Sequence, residues 1–393
     1  MKKLLVALVV LGLAAAAGWW AMGPDWRRLA TNMPTNQDVL FWSQAQREAG
    51  FRMMDRSPVI DAREISAGGP VRPLEDGAPI DLDMDLDAEM ERQQYAALLV
   101  VQDGAIRLEK YGLDQTAEGR WTSFSVAKSF TSTLVGAAIK DGYIASMDDD
   151  VTLYIEDLKG SAYEGVSVAQ LLSMTSGAGW NEDYSDPESD VAQFLSHAPD
   201  DGLPPLVSYM RTLPRAHAPG TVWNYSTGET NLIGILVREA TGTSLTDYLS
   251  EKVWRPYGMG QDASWLTGAD GLEISGCCIQ AAARDFARFG QFILDGAEID
   301  GEPIVPEGWL AAATSSQADT PFPGEGYGYQ WWTYDDSAFA ARGIFGQGIF
   351  IDPSRNLVIV TNSNWTNALG TEGERERREA FYRRVQAAID AGA

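Results

Sequence analysis

From Leu4 to Gly23 the chain is apolar and carries no charge, with Lys2 and Lys3 ahead of the run and Asp25, Arg27 and Arg28 behind it. About 20 apolar residues can cross a bilayer, whereas the apolar part of a cleaved signal is nearer about 15. Small residues at Ala14 to Ala17 offer cleavage sites, and Trp19 and Trp20 suit a membrane interface. Residues 1–23 are therefore read as a signal peptide or an N-terminal membrane anchor. Either reading exports the remainder.

Past this segment the periodicity changes. Tyr95–Gln102 (YAALLVVQ) and Ala105–Tyr111 (AIRLEKY) are strand-like runs around Asp103-Gly104, a strong signal for a two-residue hairpin. Residues 326–334, 338–344, 348–352 and 356–362 also read as strands, with Pro353-Ser354-Arg355 turning between the last two. Strands this short and closely spaced predict an antiparallel meander rather than βαβ units. The stretch between the two β regions is mostly helical in pattern. In residues 374–379 charges alternate ahead of Phe381 and Val385, as on a solvated helix face.

These elements predict an α/β (α+β) arrangement in which hairpin and meander form one antiparallel sheet flanked by helices, beside an all-helical lobe. The boundaries follow: residues 24–84 as a wrapping extension, 85–393 as the main body, and roughly 146–255 as the helical lobe. The alternation from Asp81 to Asp87 fails as a calcium loop. Leu86 stands where the tight-turn glycine belongs and Arg92 where the bidentate glutamate belongs. It reads as an acidic connector.

Composition narrows the function. With 30 basic and 55 acidic residues the net charge is −25, which disfavours nucleic acid as a partner. His197 and His217 are the only histidines and Cys277-Cys278 the only cysteines, so no metal site and no cofactor is expected. Adjacent cysteines are poorly placed for an unstrained disulfide and read as two small buried apolar side chains.

The chemistry centres on Ser125-Val126-Ala127-Lys128. Phe130, Leu134 and Ala138 follow at helical spacing and Gly142 ends the run. Ser125 thus falls near a helix N-terminus, where free N–H groups stabilise an oxyanion, and Lys128 lies one turn on. A serine needs a base to attack an acyl carbon, and a lysine serves only as a neutral amine, so its pKa must fall. Further motifs follow in order: residues 170–177 (QLLSMTSG), 219–228 (PGTVWNYSTG), 276–290, and 343–348 (GIFGQG).

With these residues in this order, roughly residues 90–365 resemble the β-lactamase-related serine hydrolases. These include class C β-lactamases, DD-peptidases, certain esterases and the 6-aminohexanoate-dimer hydrolases. The resemblance implies Ser125 as acylated nucleophile, Lys128 as its base partner and Tyr225 as the proton-relaying phenol. It implies an oxyanion hole from the Ser125 backbone N–H and a second donor near Gln347. Trp180 to Pro187 resembles the loop that brings a substrate-closing tyrosine, here Tyr184, into the aminohexanoate-type sites. Trp180, Ile344 and Gly346 complete the expected substrate-binding set.

Two departures matter. Ile344 stands where the family usually has Lys or His, so the cleft is expected to lack a fixed positive charge, and Thr227 replaces the asparagine of Y-x-N. Both favour hydrolysis of a small-molecule ester, amide or peptide-like substrate over β-lactamase or DD-peptidase activity. A non-catalytic exported receptor on the same fold is the alternative from another class. A Ser-His-Asp enzyme is disfavoured because no G-x-S-x-G elbow occurs. The expected location is periplasmic, free or anchored in the inner membrane through residues 4–23; oligomeric state stays open.

Overall fold

Asp103 and Gly104 both take left-handed backbone angles, φ 53° and 75°, which a hairpin turn of matching twist requires. They join Tyr95–Gln102 to Ala105–Tyr111 as the pattern predicts. The computed structural model describes residues 2–34, 38–57, 60–199 and 202–392.

The hairpin sits inside a nine-stranded sheet. Its order is Ala318–Asp319, Glu325–Tyr327, Trp332–Tyr334, Phe339–Gly343, Gln347–Asp352, Leu357–Ser363, Tyr95–Gln102, Ala105–Tyr111 and Glu75–Asp76. All pairings are antiparallel except the last. The first and last thirds of the chain thus meet where Leu357–Ser363 pairs with Tyr95–Gln102. The expected single strand over 326–334 is two strands, broken where Gln330 adopts φ 64°.

Strand periodicity places Ala97, Leu99 and Val101 on one sheet face and Leu98 and Val100 on the other. The first face is covered by the helix Ala283–Leu294 and merges with the core of the helical lobe. In that core Phe130 stacks on Phe289 at 3.5 Å. The second face is covered by the C-terminal helix Glu374–Gly392 through Phe381, Tyr382 and Val385. The charge run on this helix is not a solvated face. Glu374 and Arg378 are buried, and Arg375 and Arg378 belong to the cavity described below.

A second sheet, which the sequence pattern did not reveal, is ordered Ala62–Ile65, Ala263–Leu266, Ile279–Ala282 and Arg120–Thr122. Cys277 and Cys278, expected as separate thiols, are joined to each other in the turn entering Ile279–Ala282. The acidic connector is explained by alternation: Leu82 is buried, while Asp85 caps the helix Leu86–Arg92 by accepting from the Ala88 N–H at 3.0 Å.

Residues before the hairpin are fastened to this frame. The helix Gln44–Phe51 begins with a reciprocal Ser43–Gln46 capping box. From it the buried Arg47 donates to Asn364 Oδ1 (3.2 Å) and to the carbonyls of Trp365 and Thr366 (both 2.9 Å). Its guanidinium lies 4.4 Å over the Phe345 ring. Lys2–Ala21 is one helix with no buried residue and mean hydropathy 2.2, about 30 Å long at 1.5 Å per residue. It is long and apolar enough to cross a membrane.

Candidate active site

The second sheet delivers the chain to Ser125. Thr122 ends a strand, and the Ser123 hydroxyl accepts from the Ile279 N–H at 2.9 Å while donating to the Phe124 carbonyl. Phe124 is held at φ 43° with its ring buried against Phe51 and Phe345. A left-handed angle at a bulky residue is strained and persists only where packing enforces it. The turn Phe124–Val126 then feeds the helix Ala127–Lys140, so Ser125 sits at the helix entry as the spacing predicts.

Lys128, one turn later, is fully buried. Its Nζ donates to the Gly276 carbonyl (2.8 Å) and to Thr227 Oγ1 (3.0 Å) and lies 5.3 Å from the Tyr225 ring centre. Burial lowers its pKa to about 8, with Glu182 opposing the fall. That amine is partly neutral near physiological pH, as a proton acceptor must be. Burial raises the pKa of the Tyr225 phenol well above the usual value, and the neighbouring Ser125 side chain opposes the rise. Tyr225 precedes the helix Thr227–Thr241, whose Ser226 cap accepts from the Glu229 N–H. It stacks on Trp332 at 5.8 Å.

Thr227, at the position where the resemblance puts asparagine, accepts a hydrogen bond from Lys128. Its one hydroxyl hydrogen points at Glu182, leaving a lone pair for Lys128. Glu182 is a residue the sequence analysis left without a role. Its carboxylate collects the Thr227 N–H (2.9 Å), the Tyr184 hydroxyl (2.7 Å), the Thr227 hydroxyl and the Trp180 indole N–H. The only hint in the sequence was the acidic pair Glu182-Asp183 between Trp180 and Tyr184.

Ser125, Tyr225, Glu182, Tyr184 and Ile344 line one cavity of about 280 Å³. Aromatic walls come from Trp223, Phe322, Trp332 and Trp365. Trp180 is not in the lining; it packs behind and holds Glu182. Gln347 and Gly346 need correction. The Gln347 amide is fully buried on the carbonyls of Ile344, Phe345 and Ser363, and neither residue reaches the cavity. What comes up to the serine is the end of Phe339–Gly343: a Cβ on Gly343 would lie 2.6 Å from the Ser123 carbonyl and 3.0 Å from the Phe124 Cβ. Only glycine permits that approach, and it sets Ile344 beside the nucleophile turn.

The expected lack of fixed positive charge is overturned as well. Arg342, Arg375 and Arg378 line the same cavity. They were missed because two lie in a helix well past the last motif, within a run whose pattern suits a solvent face. His197 and His217 lie outside this lining. Among the described residues, no His, Cys, Asp and Glu cluster has the makings of a metal site.

Fold and family together define a serine hydrolase acting on amide or ester bonds. The chain belongs to the β-lactamase family, whose pattern matches residues 85–384. It is 30% identical over 296 residues to a 6-aminohexanoate-dimer hydrolase of Paenarthrobacter ureafaciens, covering 72% of this chain and 75% of that one. A β-lactamase of Yersinia enterocolitica is 24% identical over 309 residues, covering 70% and 75%. Among solved structures, a Bacillus anthracis protein provisionally assigned as a 6-aminohexanoate-dimer hydrolase superposes with TM-score 0.74 at 22% identity, covering 88% and 94%. EstCE1, a hydrolase with promiscuous acyltransferase activity, superposes with TM-score 0.61 at 14% identity, covering 77% and 96%.

Proposed function

We propose that this chain cleaves an ester or a linear amide through an acyl-enzyme on Ser125, most like the aminohexanoate-dimer hydrolase and esterase branch of its family. The observation carrying this is that Ser125 and Tyr225 line one cavity while the Lys128 amine, with a pKa of about 8, is buried behind them 5.3 Å from the Tyr225 ring centre. In the first step Ser125 Oγ attacks the acyl carbon while its proton passes through the Tyr225–Lys128 pair. The oxyanion is held by the backbone N–H groups of Ser125 and Ile344, the latter replacing Gln347 in this role. The pair then protonates the leaving alcohol or amine as the acyl bond breaks. Water, deprotonated by the same pair, hydrolyses the acyl ester and restores Ser125. Tyr184, tethered to Glu182, closes over the substrate.

Residues 24–393 work outside the cytoplasm, with Lys2–Ala21 as signal or anchor. A hydrolysis screen of p-nitrophenyl esters, aminohexanoate oligomers, D-Ala-D-Ala peptides and nitrocefin tests the assignment. Turnover of esters or linear amides that is lost in Ser125→Ala supports it. Turnover confined to nitrocefin, or persisting in Ser125→Ala, refutes it.

A further inference from the structure

Three guanidinium groups stand in the cavity that holds the nucleophile, in a chain whose net charge is −25. They share two carboxylates. Glu325 takes Arg342 (2.9 and 3.1 Å) and Arg375 (3.0 Å); Glu379 takes Arg342 and Arg378, each only at 3.4 Å. Three guanidinium groups thus share two carboxylates, and the other carboxylate of the lining, Glu182, is bonded to Thr227, Tyr184 and Trp180 instead. Arg378 is the least satisfied. Its residue is 3% exposed, its one ion pair is long, and its Nε has no hydrogen-bond partner. A buried guanidinium is costly unless an anion meets it.

The surroundings specify the anion. Each arginine lies over an aromatic ring of the cavity: Arg342 over Trp332 (5.0 Å), Arg375 over Phe322 (4.6 Å) and Arg378 over Trp365 (4.9 Å). Stacking fixes the planar forks; Glu325 already takes both ends of Arg342 and one of Arg375, so the N–H groups left without a close partner are chiefly those of Arg378, an arrangement that suits a planar carboxylate. Trp332 also stacks on Tyr225, so a single indole separates the proton-relaying phenol from Arg342. Along this wall the cavity is apolar between the serine and the cations.

We propose that Arg342, Arg375 and Arg378 form a carboxylate subsite, so that the enzyme prefers esters or amides bearing an acid group on a short apolar chain. This rests on the hydrolase reading above and names its substrate class. The test compares kcat/KM for p-nitrophenyl hydrogen adipate with p-nitrophenyl hexanoate. A second pair, 6-butanoyloxyhexanoate with hexyl butanoate, puts the acid on the alcohol side. At least one pair should favour the acid by about tenfold or more, the scale of one charge-assisted hydrogen bond. In Arg375→Gln and Arg378→Gln that ratio should fall toward one, and raised salt should erode it in the native enzyme. Arg375 is partly exposed, so its variant serves if the Arg378 variant fails to fold. Equal or slower cleavage of both acids, with neutral esters still turned over, overturns the subsite alone. So does an acid preference unchanged in a folded Arg375→Gln. Loss of all turnover and of fluorophosphonate labelling in folded native protein overturns the hydrolase reading and the subsite with it.

Discussion

Replacing Lys128 with methionine should abolish turnover and yet stabilise the protein at neutral pH. Burial moves the Lys128 amine from 10.5 to about 8, which corresponds to about 3 kcal/mol of strain on the charged form. Because the folded-state pKa lies below the unfolded one, the penalty is fully present below about pH 8. It is relieved as pH rises toward 10.5, where the unfolded chain holds the extra proton. Methionine fills similar volume with no charge to desolvate. It forfeits the hydrogen bonds to Gly276 and Thr227, and the stranded Gly276 carbonyl costs about 1–2 kcal/mol. The net at pH 7 is a gain of about 1–2 kcal/mol, shrinking or reversing near pH 10. Urea unfolding of both proteins, followed by tryptophan fluorescence at the two pH values, reads the difference directly. A Lys128→Met protein destabilised by the same amount at both pH values would show that the lysine carries no desolvation penalty, and the argument for a neutral base would fail with it.

Other consequences are narrower. The kcat/KM of the native enzyme should rise through about pH 8 as the Lys128–Tyr225 pair loses a proton. In Glu182→Gln that limb should move to lower pH, because Glu182 holds the lysine's pKa up; a pH–rate series shows which way it goes. Tyr225→Phe should lower kcat by about 10²–10⁴, while His197→Ala and His217→Ala leave steady-state rates nearly unchanged. Arg47→Ala should cost about 2–4 kcal/mol in unfolding free energy. It should also raise KM, since Arg47 holds the backbone of Trp365 and Thr366 at the cavity rim.

What could be read from the chain follows physical range. The hairpin, the meander and the serine's place at a helix entry are encoded locally, by Asp103-Gly104, strand alternation and Phe130-Leu134-Ala138 spacing. That Ser125, Lys128 and Tyr225 come close together was legible because motif order stands in for three-dimensional proximity. Glu182, Arg342, Arg375 and Arg378 were not, because their roles depend on which surface covers them. Arg375 and Arg378 sit in a run that reads as solvated until the helix is docked on the sheet. The second sheet was hidden for a related reason. Its strands are only three or four residues long and come from widely separated segments, so no local period announces them. Gln347 falls outside the cavity lining because the chain turns at Phe345, φ 58°, and leaves Ile344 at the wall.

The central claim is that Ser125 becomes acylated, and mass spectrometry tests it most directly. Native protein treated with a fluorophosphonate, or quenched in acid during turnover of a p-nitrophenyl ester, should gain one adduct mapping to the peptide that contains Ser125. The adduct should be absent from Ser125→Ala and form far more slowly in Lys128→Met. A folded native protein that gains no adduct, or gains it on another residue, would contradict the account and favour a receptor built on the same fold.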